Sequence, residues 1–338
     1  MLNISIFTNW RTNLYESSNM KFKYVYGPVP SRRLGRSLGV NPIPFKTCNY
    51  SCVYCQLGRT AHLINERRDF FSKEEILSEI KQAIKIHEGD IDYITFVGEG
   101  EPTLYKSLGW LIKEVKKIAS LPVAVITNGA LLYREDVREE LLPAEVVMPS
   151  LDAAKEHTFR RLNRPHRDLD IENIIQGMVQ FRNIFKGQLW VEIMLVRGIN
   201  DTEKELLAIK EALEKIRPDR IYINVPIRPP AEKWVEIPDE EALVRAHSIL
   251  GDVFIIARKE VGSFDTRGFS NLEDAILSIT RRHPMRRSQI RDTLQRYGEE
   301  NFEEIIDRLI KEGKLRKIEY RGDTFYIVSE ARMGERRR

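Results

Sequence analysis

From about Ser37 to Ile256 the chain alternates short β-branched runs with longer stretches in which apolar residues recur every three or four positions. The runs Leu38–Asn41, Ile91–Val97, Val123–Thr127, Glu145–Ser150, Gln188–Val196, Arg220–Val225 and Val253–Ile256 predict strands. Between them Ile76, Leu77, Ile80 and Ile84 fall on one helical face. So do Leu104, Leu108, Leu111, Ile112, Val115 and Ile118, and later Leu206, Leu207, Leu213 and Ile216. Strand–helix alternation at this spacing predicts a parallel sheet with helical crossovers. Six or seven such units suit an open barrel better than a closed eight-fold one. The expected class is therefore α/β, a partial (β/α)6 TIM-like barrel, with ligand groups at the C-terminal ends of its strands.

The texture changes near Leu272. Three short helical patterns, Leu272–Arg281, Arg286–Tyr297 and Glu299–Glu312, precede two alternating runs, Leu315–Tyr320 and Thr324–Val328. Arg321-Gly322-Asp323 between those runs is a hairpin signal. Three helices and a hairpin predict a C-terminal winged-helix-like domain. The divisions expected are an N-terminal extension over 1–22, a barrel domain over 23–265 and the winged-helix-like domain over 266–338.

Charge sharpens that division. Lys and Arg number 54 against 50 Asp and Glu. Residues 276–338 hold 16 of the basic and 11 of the acidic residues, so the tail carries +5 and the rest of the chain −1. A basic winged helix can bind nucleic acid through phosphate contacts. The acidic start of its third helix, Glu303 and Glu304, is poor for major-groove entry. No apolar run approaches the ~18 residues of a membrane span, and the first 20 residues lack the pattern of a secretory signal. No membrane association and a cytoplasmic location are expected.

The chain has three cysteines, too few for a disulfide framework. They are Cys48, Cys52 and Cys55, spaced C-x3-C-x2-C in a loop after the first predicted strand. Three thiolates within eight residues can converge on one centre. A closed zinc site needs four protein ligands, and His62 is the nearest fourth. A four-iron cluster held by three thiolates leaves one iron open for a coordinating cofactor. The spacing favours the iron–sulfur site, with zinc as the alternative.

Cys48-Asn-Tyr-Ser-Cys52-Val-Tyr-Cys55 resembles the signature of radical S-adenosylmethionine (SAM) enzymes, down to the aromatic residue before the third cysteine. Gly98-Glu99-Gly100-Glu101-Pro102 follows the second predicted strand, where that family carries Gly-Gly-Glu-Pro for the SAM amino group. Glu99 departs from the pattern at its first glycine. Thr127-Asn128-Gly129 and Ser150-Leu-Asp152 end the next two strands and resemble the polar strand ends that line the family's SAM pocket. The resemblance spans roughly residues 26–230. It implies a [4Fe-4S] cluster on Cys48, Cys52 and Cys55 and a SAM amine held at Gly100 and Glu101. It further places the Tyr54 backbone against adenine, with Asn128, Ser150 and Asp152 lining the pocket.

The implied reaction is reductive cleavage of SAM to a 5′-deoxyadenosyl radical, which abstracts a hydrogen from the substrate. It implies an electron donor such as ferredoxin or flavodoxin. GEGEPTLY and LNRPH place the chain nearest wyosine-base-synthase-related iron–sulfur oxidoreductases, which suggests an RNA-related substrate and tRNA or another nucleic acid as partner of the C-terminal domain. Those synthases carry a second cysteine triad, which this chain lacks. No catalytic residue is assigned. The basic stretch Ser31-Arg-Arg-Leu-Gly-Arg36 is a candidate grip for a substrate phosphate or carboxylate near the barrel mouth, or else a solvated or salt-bridged element. Arg164, His166 and Glu192 are candidate pocket residues. The competing reading is a zinc-stabilised winged-helix DNA-binding regulator.

Overall fold

A computed structural model describes residues 22–256, 271–295 and 302–329. The extension expected over 1–22 lies outside them but for Phe22, which is buried, and the expected 265/266 boundary also lies outside. Eight strands form one sheet: β1 Val25–Ser31, β2 Gly35–Val40, β5 Tyr93–Phe96, β6 Val123–Thr127, β7 Val146–Pro149, β8 Gln188–Met194, β9 Arg220–Asn224 and β10 Phe254–Ile256, hydrogen-bonded in that order. A separate two-residue pair, β3 Thr47–Cys48 and β4 His62–Leu63, lies in the connection after β2. From β2 to β10 every pairing is parallel. The crossovers are made by α1 Lys73–Ile86, α2 Leu108–Ile118, α3 Glu135–Leu141, α4 Glu156–Asn163 with α5 Ile171–Ile184, α6 Glu203–Ile216 and α7 Glu240–Leu250. The edge strands β1 and β10 are not paired, so the sheet is the open, partial barrel expected.

Strand β1 was not predicted, and its prolines explain why. Pro28 and Pro30 donate no ladder hydrogen bond, which confines such a segment to a sheet edge. Here β1 is that edge, antiparallel to β2.

The parallel strands are buried on both faces. Val123, Val125, Val147, Leu189, Val191 and Ile193 pack outward among the helices in the main core. Their neighbours Ala124, Val146, Met148, Trp190 and Tyr222 point inward and gather around Leu34. Leu34 sits in the β1–β2 turn, at the N-terminal ends of the parallel strands. That turn closes the barrel floor. Arg33 forms an ion pair with Glu192 inside the sheet, and Arg32 Nη1 donates to the Ile256 carbonyl on the opposite edge strand (3.0 Å). Arg36 meets Asp90 (3.0 Å) and Asp92 (2.9 Å) outside. Of the two readings of Ser31–Arg36, these contacts fit the salt-bridged element rather than the substrate grip, and the turn lies at the N-terminal ends of the strands, opposite the cysteines. Glu192 is likewise Arg33's partner.

The C-terminal elements are α8 Leu272–Arg282, β11 Met285–Arg286, α9 Arg287–Gln295, α10 Phe302–Lys311, β12 Leu315–Tyr320 and β13 Asp323–Val328, with sheet order β11-β13-β12. Asn271 caps α8 by accepting from Asp274 N (2.8 Å). Arg321 and Gly322 both take positive φ and pair Tyr320 with Asp323, so the hairpin expected there turns on two residues, with Asp323 already in the second strand. Ile276, Ile279, Ile290, Leu309 and Val328 share a core with Tyr26 and Val29 of β1, so these elements pack against the barrel edge. Among the described residues no helix is long and apolar enough to cross a membrane.

Candidate functional site

The cysteine loop lies at the C-terminal ends of the strands. Cys48 ends β3, and α4 supports the loop from below: Ser51 N donates to the Asn163 carbonyl (3.0 Å) and Val53 N to that of Leu162 (3.0 Å). N–H donors face the sulfurs. Tyr50 N lies 3.4 Å and Asn128 Nδ2 3.6 Å from Cys48 Sγ, and Asn163 Nδ2 lies 3.5 Å from Cys52 Sγ. Burial pushes all three thiols up. For Cys48 the Glu101 carboxylate adds to the rise, for Cys52 the Asp152 carboxylate does, and for Cys55 the Leu57 amide and the Lys46 charge oppose it. A metal centre bound by these thiols would oppose that rise by favouring their thiolate forms.

The loop after β5 abuts this segment. Glu101 N donates to the Thr47 carbonyl (3.1 Å), one residue before Cys48. A Cβ on Gly100 would fall 1.8 Å from that same carbonyl, so only glycine permits the approach. Gly100 therefore serves loop-on-loop contact. Glu101 is 2% exposed. Its carboxylate accepts from Thr127 Oγ1 (2.5 Å), Thr103 Oγ1 (2.6 Å), Thr103 N (3.0 Å) and Asn128 N (2.7 Å). Burial nevertheless holds its pKa above the usual carboxylate value. Among the described residues no cationic side chain pairs with it.

Asn128 ties the two loops together, donating also to Asn49 Oδ1 (2.6 Å). Ser150, next along the sheet, makes no side-chain hydrogen bond among the described residues and bridges to Glu192 through the backbone. Asp152 is engaged within the protein. Its carboxylate takes the Tyr54 hydroxyl, Asn163 Nδ2 (2.7 Å) and Met194 N (2.8 Å), and so fixes the Tyr54 ring. Asn163 thereby serves both Cys52 and Asp152. Sequence reasoning did not single it out, although it opens the Asn163-Arg164-Pro165 element. Arg164 and Arg59 share the Glu232 carboxylate beside this loop, and they hold its pKa low. His166 rests on Asp168 (3.3 Å).

The nine expected site residues therefore meet at one end of the barrel. Among the described residues no three of His, Cys, Asp and Glu are placed to hold a single metal ion, His62 with the cysteines included. A four-iron cube distributes its ligands over separate irons and asks for no such point convergence. Amide donors to the sulfurs and a buried carboxylate lacking a cation suit thiolates on a cluster and a cofactor bearing an ammonium group.

The chain also matches known proteins in sequence. The profile described as Radical SAM superfamily matches residues 43–209. A UPF0026 protein of Methanocaldococcus jannaschii is 42% identical over 311 residues, covering 89% of this chain and 95% of that one. A protein of Brachyspira hyodysenteriae named GTPase Obg is 37% identical over 319 residues, and the chain spans 46% of that longer protein. A solved structure of TYW1 with a lysine–pyruvate adduct bound is 18% identical, covers 88% of this chain and 81% of that one, and has a TM-score of 0.45.

Proposed function

The chain belongs to the radical SAM superfamily and to the UPF0026 family, and from that premise we propose that it holds one [4Fe-4S] cluster on Cys48, Cys52 and Cys55 and cleaves SAM there. The observation that carries this reading is the meeting of three buried thiols, Cys48 and Cys52 faced by amide donors, with Glu101, a buried carboxylate with four donors and no cationic partner among the described residues. When bound, the cluster and SAM would supply an electron and a 5′-deoxyadenosyl radical that takes a hydrogen atom from the substrate.

The chain's own groups bind and orient. Glu101 receives the SAM amine, and Gly100 brings its loop against the cluster loop. Asn128 steadies Cys48, and the hydroxyl of Ser150 serves the ribose. Asp152 holds the Tyr54 ring so that its backbone stays against the adenine. The enclosed strand ends exclude water from a reactive radical.

We read residues 271–329 as a winged-helix-like unit from its order of helices and strands. The +5 carried by residues 276–338 supports an RNA-related substrate or nucleic-acid partner, although 271–329 alone holds 12 basic against 11 acidic residues. Several of its arginines are engaged within the protein, Arg286 by Asp323 (3.2 Å), Arg287 by Glu303 and Arg291 by Asp292 (3.4 Å). The electron donor is of the ferredoxin or flavodoxin kind.

The test is anaerobic reconstitution to about four irons and four sulfides per chain, then reduction in the presence of SAM. 5′-Deoxyadenosine and methionine should form, and Cys52→Ala should abolish both. A colourless protein holding one zinc, or a fully loaded cluster that leaves SAM intact, defeats the proposal. Adding tRNA and then metabolite extracts to the cleavage assay sorts the substrate class.

A further inference from the structure

Glu99 is where the sequence departs from the family pattern, and it is also where the C-terminal elements reach the site. Its side chain is 1% exposed, and Oε1 lies 3.4 Å from Nε of Arg282, which is 9% exposed. Arg282 ends α8. Its guanidinium lies over the Tyr26 ring (4.6 Å) and donates to the Ser278 hydroxyl (2.7 Å) and carbonyl (3.1 Å) and to the Lys23 carbonyl (3.4 Å). Its own carbonyl accepts from Nε2 of Gln56 (2.8 Å), the residue after Cys55. Gln56 Oε1 accepts in turn from Arg228 Nη1 (2.6 Å).

One residue therefore touches both loops of the site. Its side chain holds the Gly98–Glu101 loop and its main chain holds the cysteine loop. The Glu99 main chain passes the contact inward: its carbonyl accepts from Lys46 N (2.7 Å) and its N–H donates to Asn41 Oδ1 (3.2 Å). Two residues on, Glu101 N bonds the Thr47 carbonyl (3.1 Å). A buried carboxylate without its guanidinium is costly. A glutamate in place of glycine is thus tolerable in this loop because α8 supplies the charge that answers it.

We propose that Arg282 is a positioning residue for the cofactor site, holding the Gly98–Glu101 loop against the cysteine loop, so that the site is complete only with α8 docked. The inference rests on the reading of these loops as the SAM and cluster loops. It joins the C-terminal unit to the chemistry: a ligand that shifts α8 moves the cofactor loops with it.

The test uses the full chain, first without cofactors. Hydrogen exchange is followed at the amides of Lys46 and Glu101, which bond across the two loops. Arg282→Met and the shape-conserving Glu99→Gln should each speed exchange there by about tenfold or more, because a broken buried pair loosens its surroundings. Arg282→Lys should restore part of the protection. If α8 only anchors its own unit, exchange will quicken in α8 and β11 alone, and unchanged protection at Lys46 and Glu101 overturns the proposal. Should Arg282→Met fail to fold, Glu99→Gln and Arg282→Lys decide the matter. In reconstituted protein the same variants should weaken SAM binding by about tenfold. A loaded wild-type chain that binds no SAM defeats the functional reading, while the exchange result still decides the positioning role.

Discussion

Arg33 and Arg282 are both largely buried guanidiniums facing glutamates, and they come from opposite ends of one barrel: Arg33 from the β1–β2 turn, Arg282 from α8 beside the cysteine loop. Arg33 belongs to a conspicuous basic run in the β1–β2 turn beside Leu34, and it reaches from there into the barrel to Glu192. Arg282 belongs to an ordinary helix end, and its pair with Glu99 touches both loops of the candidate site. Local charge density therefore says little about which arginine serves chemistry. What decides is the backbone behind the partner glutamate: Glu192 lies within a strand of the sheet, whereas Glu99 lies in a loop bonded to the residues before Cys48.

Breaking the Arg33–Glu192 pair gives the largest expected effect on stability. Arg33→Met strands Glu192 inside the sheet and should cost about 3–5 kcal/mol, read as a lower urea midpoint. Arg33→Met with Glu192→Leu should recover most of it, since apolar groups of similar volume often replace a buried pair without loss. SAM affinity should hold in both. A fall in affinity larger than the fall in stability would erase the distinction between the two ends. Leu34→Ala probes the barrel floor without charge, and should cost about 2–4 kcal/mol as a cavity opens among Val146, Met148, Trp190 and Tyr222.

At the mouth the expected loss shifts from stability to cofactor. Gly100→Ala must push the Thr47 carbonyl away from a Cβ that would sit 1.8 Å from it. The strain should cost about 1–3 kcal/mol, yet the iron bound after reconstitution should fall by more than half, because the displaced carbonyl adjoins Cys48. Full iron incorporation in Gly100→Ala would show that the loop contact is not what sets the cysteine geometry.

The sheet, its crossovers and the cysteine loop were legible because each is written locally: β-branched runs, helical spacing, three thiols within eight residues. Gly100, Glu101, Asn128, Ser150 and Asp152 were singled out by the family resemblance at the ends of predicted strands and Tyr54 by its place in the cysteine motif, and all of them meet at the mouth. The roles were less legible than the places. Asp152 points at Tyr54, Asn163 and Met194, which are distant in sequence or on another strand, so its task depends on how strands β7 and β8 align. Strand β1 was hidden by its prolines. The direction of Arg33 into the sheet and the reach of Arg282 across the mouth depend on a turn and a docking that no local pattern encodes. Glu99 did carry a signal: a departure from a motif at a buried position calls for a partner elsewhere in the chain.

The smallest effect concerns the outer support of the mouth and is read through pH. Asp136 accepts from Arg134 Nε (2.9 Å) and Nη2 (3.0 Å) and from Arg67 Nη1 (2.9 Å). Arg67 in turn donates to the Thr103 carbonyl (2.9 Å), two residues beyond Glu101. The Arg134 hydrogen bonds, opposed by burial and aided by Arg67, hold the Asp136 carboxyl down at about 2, below its ordinary 3.8. A depressed folded-state value means that the stabilisation is present above the unfolded value and is lost as pH falls towards 2. Asp136 is about half exposed, so solvent screening limits the contribution to under about 1 kcal/mol. Asp136→Asn should therefore lower stability slightly at neutral pH and lose less further stability than wild type between pH 4 and pH 2. Parallel acid-unfolding curves for the two proteins would show that Arg67 keeps the Thr103 segment in place without Asp136, leaving Glu140, its other acidic partner, as the anchor of that side of the mouth.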